Sequence, residues 1–214
     1  MTESYRRDTL ELTLEGVDGD GPLSGKRKPE ERLITVTLIW PRPLIAERVA
    51  ARPHFFAEGG LDLSGADWSD CVMFKENVEG PFGMVVQISE PLTSQQAARV
   101  IADLGSALVK TAGTEAARVA AGPWLASLAR FPFSHLAGEL SGVGKSPKVV
   151  AAGRMTLRPG LSGPVDIPLQ VPDDVVRTRT VRTGGRSRSR RETLHRRGEP
   201  AGTVMFNSVY YRGL

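Results

Sequence analysis

Leu10, Leu12 and Leu14 alternate with Thr9, Glu11, Thr13 and Glu15. Period two puts one side of this segment in a dry core and the other in water, which predicts a strand. A turn-rich loop follows, Gly16 to Gly25, and then the basic triplet Lys26-Arg27-Lys28. A second strand is predicted over Arg32 to Trp40, closed by Pro41 and Pro43. The next 25 or so residues carry little pattern and are expected to form a long connection, with a short helix at Ile45 to Ala51. Two more strands are expected at Cys71 to Val78 and Phe82 to Ser89, with Gly80-Pro81 marking a hairpin turn between them.

The period then changes. Thr93 and Gln96 have capping-box spacing, and Ala97, Val100, Ile101, Leu104, Ala107 and Leu108 recur at helical intervals. Gly113 stops this helix; Thr114 caps a second to Ala121, Pro123 opens a third over Trp124 to Arg130, and Ser134 caps a last one to Leu140. Strands resume at Lys148 to Leu157, Val165 to Val171, Val175 onward and Thr203 to Tyr211. The last of these is apolar on both sides except at Asn207 and Ser208, as in a central or interface strand. About eight strands joined largely by short turns predict a mainly β protein of the α+β kind. The expected form is a single domain over 1–214: an antiparallel two-sheet sandwich with a helical insertion at 93–140.

Charge alters this picture at one place. Arg177 to Arg197 holds nine arginines and one acid, Glu192, a local charge of +8 in a chain whose net charge is +4; the remainder therefore sums to −4. Val and Thr suit strands, and Gly184-Gly185 suits a tight two-residue turn. The segment 177–197 is thus expected to be a basic β-hairpin arm. With the turn at Gly184-Gly185, one face carries Arg177, Arg179, Arg186, Arg188 and Arg190, relieved by Glu192, and the other carries Arg182 and Arg191 among Thr and Ser. Neither face has an apolar set to bury, so the arm is expected to project. Three readings follow: a solvated loop without a partner, contact with nucleic-acid phosphate, or contact with an acidic protein surface, including another copy of this chain. These seven arginines are the candidate polyanion-binding residues. No Phe, Trp or Tyr lies in the arm, which argues against base stacking and for backbone contact of low sequence preference. Phosphorylation of Ser187 or Ser189 would reduce the charge.

Other chemistry is sparse. The longest apolar-rich run, Leu33 to Trp40, is far short of the roughly 20 residues that span a bilayer. With no apolar leader at the N-terminus and one cysteine, Cys71, the expected location is cytoplasmic. Gly142-Val143-Gly144-Lys145-Ser146 imitates the end of a phosphate-binding loop but lacks its first glycine and runs helix to strand, so a plain connecting loop is expected. Asp18-Gly19-Asp20-Gly21 imitates the start of a calcium loop without the later ligands and reads as a surface turn. Cys71 with His54, His135 or His195 offers a thiol–imidazole pair, but its place in an apolar run favours a buried structural thiol. No catalytic residue, metal site or cofactor is expected. The function expected is a non-enzymatic binding or assembly protein acting through the arginine hairpin. The alternative is a membrane-surface or protein-docking module using the Ala- and Gly-rich insertion with Trp124, Phe131 and Phe133.

Overall fold

The computed structural model describes residues 7–24, 29–39, 48–61, 63, 67–93, 95–96, 99, 148–183 and 186–212. Among the described residues eleven strands run β1 (Arg7–Gly19), β2 (Glu30–Ile39), β3 (Arg48–Ala57), β4 (Gly60–Leu61), β5 (Val72–Glu79), β6 (Phe82–Ser89), β7 (Val149–Leu157), β8 (Gly163–Gln170), β9 (Val175–Thr183), β10 (Arg186–His195) and β11 (Pro200–Arg212). A helical turn, α1 (Trp68–Cys71), and a 3-10 turn at Gly21–Leu23 accompany them among the described residues, and Gln95, Gln96 and Arg99 are helical.

The protein is mainly β, but its strands do not form a two-sheet sandwich. They close into an eight-strand barrel in the order β1-β11-β8-β7-β6-β2-β3-β4 and back to β1, with β5 laid against β1 beside the ring. The closure depends on β1. One edge pairs with β11 from Asp8↔Arg212 to Gly19↔Gly202; the other pairs with β5 and then, at Asp18↔Gly60, with β4. Strands that would be the free edges of two stacked sheets therefore find each other, which removes those edges.

The period-two reading holds for the inner face. Leu10, Leu12 and Leu14 of β1, Ile34, Val36 and Leu38 of β2, Phe82, Met84, Val86 and Ile88 of β6, and Val204 and Phe206 of β11 fill the interior. The interior is therefore packed with side chains rather than hollow, as expected for eight strands. In β2 from Arg32 onward and throughout β6 every residue is buried, so the outer faces of these two strands are covered as well.

Three expectations need correction. The stretch expected to be a connection with a helix at Ile45 to Ala51 contains strand β3, paired with β2 from Glu30↔Phe56 to Leu38↔Arg48. Its mid-strand Pro53 sits opposite Leu33, whose N–H donates not to β3 but to Ser89 Oγ at 3.0 Å. That pair exchanges no backbone bond, so the missing proline N–H costs nothing. Second, β5 and β6 are not a hairpin: β5 pairs with β1, while β6 pairs with β2 and β7. Gly80, at φ +70°, turns the chain between neighbourhoods instead. Third, Cys71 ends α1 and is half-buried, not sealed in a strand.

The helical insertion at 93–140 lies outside the described residues except at its start. There Thr93 N–H donates to Gln96 Oε1 at 2.9 Å and Gln96 N–H to Thr93 Oγ1 at 3.3 Å, the reciprocal capping box that the spacing predicts.

Candidate polyanion interface

β9 and β10 form a two-stranded sheet of their own, and no barrel strand extends its ladder. The register runs Thr183↔Arg186, Val181↔Arg188, Arg179↔Arg190, Arg177↔Glu192. This is the pairing that a turn at Gly184-Gly185 gives. Arg177, Arg179, Arg186, Arg188 and Arg190 thus hold register positions on one side of the ribbon, and Arg182 and Arg191 on the other. The side chains of Arg177 and Arg191 are exposed, and among the described residues neither has a carboxylate within ion-pair distance. For Arg179, Arg182, Arg186, Arg188 and Arg190 the backbone alone is described.

The two ends of the ribbon are tied together at its root, and the Val171 N–H donates to Glu199 O at 2.9 Å and the Gly198 N–H to Val171 O at 2.8 Å just beyond β8. The Arg197 N–H donates to Asp174 Oδ1 at 2.8 Å, and His195 Nδ1 lies 3.7 Å from Glu199 Oε2. The same end of the barrel holds the Asp18–Gly21 segment. Its first half is not the surface turn expected: Asp18 and Gly19 end β1, paired with Thr203 and Gly202 and, at Asp18, with Gly60. The turn begins at Asp20, whose Oδ1 accepts the Gly21 N–H at 2.7 Å and opens the 3-10 turn. An open concavity of about 510 Å³ lies here, lined by Asp18, Asp20, Pro168, Gln170, Pro200 and Thr203 among others. Among the described residues no group of three or more His, Cys, Asp or Glu side chains could hold a metal ion. Arg179, Arg182, Arg186, Arg188 and Arg190 hold the distal positions without a carboxylate, whereas around the root Arg177, Arg191, Arg196 and Arg197 stand with Asp18, Asp20, Asp173, Asp174, Glu192 and Glu199, all of them exposed.

A second polar cluster, which the sequence reading missed, lies inside the barrel. Arg32 and His54 face each other in register and are 5% and 6% exposed. The guanidinium donates to Ser89 O at 3.3 Å, to Pro22 O at 3.2 Å and to Glu30 Oε2 at 3.3 Å, and stands 5.8 Å from the Phe56 ring centre. Burial lowers the Arg32 pKa, and Glu30 opposes that shift. Burial also holds His54 below its ordinary 6.5, with Asp70 pulling it back up and Arg52 pushing it further down. Among the described residues its Nε2 has no hydrogen-bond partner. Cys71 is pushed up by burial and by Asp70, opposite to what an activated thiol needs. His135 and the Gly142–Ser146 loop lie outside the described residues.

His54 gives a pH prediction. The unfolded chain takes up its histidine proton near pH 6.5, whereas the folded chain resists it until lower pH. Folding stability contributed by this group is constant above that pH and falls as pH drops from there toward the folded-state value. The urea midpoint of the native protein is expected to fall between neutral and mildly acid pH. Part of that fall should vanish in His54→Gln; equal pH slopes in the two proteins would count against the assignment.

No described helix is long and apolar enough to cross a membrane. Comparison with known proteins finds no matching family model, no matching curated protein and no matching solved structure.

Proposed function

We propose that this chain is a non-enzymatic binding or assembly protein whose arginine hairpin contacts a polyanionic partner. One observation carries the reading: the most basic segment of the chain is a ribbon that shares no ladder with the barrel, with its described arginines exposed. Like charges lie directly opposite at Arg179↔Arg190, an arrangement that destabilises a ladder on its own. A partner rich in negative charge relieves that repulsion, and guanidinium groups match phosphate or carboxylate oxygens in pairs. The barrel supplies a rigid base that holds the ribbon away from the core.

The test is retention on immobilised heparin. The native chain is expected to bind and to elute only as salt rises, since such contact is screened by ions. A variant with Arg177, Arg179, Arg182, Arg186, Arg188, Arg190 and Arg191 changed to serine should pass straight through. Co-elution of the two proteins would remove the hairpin from any role in binding.

A further inference from the structure

Resting on that reading, we propose that the polyanion is double-stranded DNA, taken into the major groove by the distal part of the ribbon. The choice among polyanions follows from what the ribbon carries and lacks. Between Arg177 and Glu192 its only large apolar residue is Val181, and it has no aromatic residue. The exposed apolar side chains Val176 and Leu194 stand at the root. Protein interfaces are organised around desolvated apolar and aromatic anchors, so an acidic protein surface fits the distal ribbon poorly. Single strands are held largely by stacking on aromatic rings, which are also missing. A duplex backbone asks only for charge and hydrogen-bond donors, and Arg, Thr and Ser supply both.

Shape narrows the partner further. A two-stranded ribbon fits the roughly 12 Å wide major groove of B-form DNA, whereas the deep, narrow groove of an RNA duplex excludes it. With nine residues in β9, the ribbon extends about 27 Å from first to last residue at about 3.4 Å per step. That length separates its two ends electrically, because a field decays over about 8–10 Å at physiological salt. From Thr178 to Arg190 there are five arginines, Arg179, Arg182, Arg186, Arg188 and Arg190, and no acid. At the root, Arg177, Arg191, Arg196 and Arg197 meet Asp18, Asp20, Asp173, Asp174, Glu192 and Glu199, all of them exposed. The five distal arginines thus face no acid, while at the root four arginines are outnumbered by six carboxylates, so phosphate is drawn to the tip first. The DNA engages the distal arginines, and the barrel is held off the duplex.

Fluorescence anisotropy on the full chain tests this with four labelled probes: a mixed-sequence DNA duplex, its single strand, the matching RNA duplex and polyglutamate. The DNA duplex is expected to bind tightest. Five phosphate contacts give a slope of about −4.5 for log affinity against log salt. Changing the five distal arginines to serine should flatten that slope and weaken binding by about four orders of magnitude at 0.1 M salt. The pair Arg177→Ser and Arg191→Ser should weaken it less than tenfold. An unchanged thermal midpoint in both variants checks that the barrel is intact. Equal or tighter binding of polyglutamate, single strand or RNA duplex overturns the DNA assignment while leaving the polyanion reading standing. A root variant as weak as the distal one overturns the distal location. Failure of the native chain to bind any probe overturns both readings.

Discussion

Gly202→Ala is expected to cost about 3–5 kcal/mol, enough to threaten the fold of a domain whose total stability is about 5–15 kcal/mol. Gly202 sits at φ +111°, and a Cβ there would overlap the Asp18 carbonyl oxygen. Gly60 makes the matching approach from the other side, at φ +143°, with its Cβ position overlapping the Val17 carbonyl oxygen. Between them passes the last part of β1, tied to both neighbours by Gly19 N–H to Gly59 O at 3.1 Å and Asp20 N–H to Ala201 O at 3.2 Å. Any side chain at either glycine pushes β4 or β11 away at the point where the ring closes. Gly198 is the control, since it has φ +85° but nothing within 4 Å of its Cβ position. Gly198→Ala carries the backbone strain without the overlap and is expected to cost about 1 kcal/mol. Urea midpoints of the two variants separate the terms; similar losses would mean that overlap at the seam is not what makes Gly202 necessary.

Arg32→Ala is expected to cost about 3–5 kcal/mol. The residue is nearly buried, and its removal leaves the Ser89 and Pro22 carbonyl oxygens and the Glu30 carboxylate without this donor. It also removes packing against Phe56, which is itself fully buried. The guanidinium is not a net source of stability merely because its two terminal nitrogens are bonded, since desolvation offsets much of the gain and, among the described residues, its buried Nε has no hydrogen-bond partner. Arg32→Met, which keeps the volume, combined with Glu30→Gln, which removes the charge left behind, is accordingly expected to recover more than half of the loss. Thermal midpoints of both proteins give the answer. A double variant as unstable as Arg32→Ala would place the worth of Arg32 in its hydrogen bonds and not in its bulk.

Where the inner side of a strand is uniformly apolar, period-two alternation in the sequence found it: Leu10-Leu12-Leu14 in β1 and Val165-Ile167-Leu169 in β8 are buried at every second position. The pairing of β9 with β10 was equally legible, because Val and Thr favour strands and the observed register is the one that a turn placed at Gly184-Gly185 predicts. β3 was lost because its polarity is inverted: His54 is buried while Phe55 is 55% exposed. A pattern reader searching for an apolar face sees none there, and Pro53 argues against a strand until its pairing is known. Barrel closure was also invisible, for a different reason. A sandwich and a barrel both need strands with one dry side, and the difference lies in whether β1 meets β11, a fact held in no local window. The candidate site was legible as a charge cluster, but its division into a basic tip and an acidic root was not. That division depends on Asp18 and Asp20 being brought beside a segment far along the chain.

The same meeting of β1 with β11 sets a constraint on biosynthesis. Asp8 pairs with Arg212, so β1 has to wait until β11 has been made before its longest ladder can form. In the interval β5 is the one long partner that can shield it, along Arg7 to Thr13. Until β11 arrives, an unpaired edge backed by three leucines stays open to any passing nascent chain. Slow translation past residue 79 therefore lengthens the time for which that edge stays open.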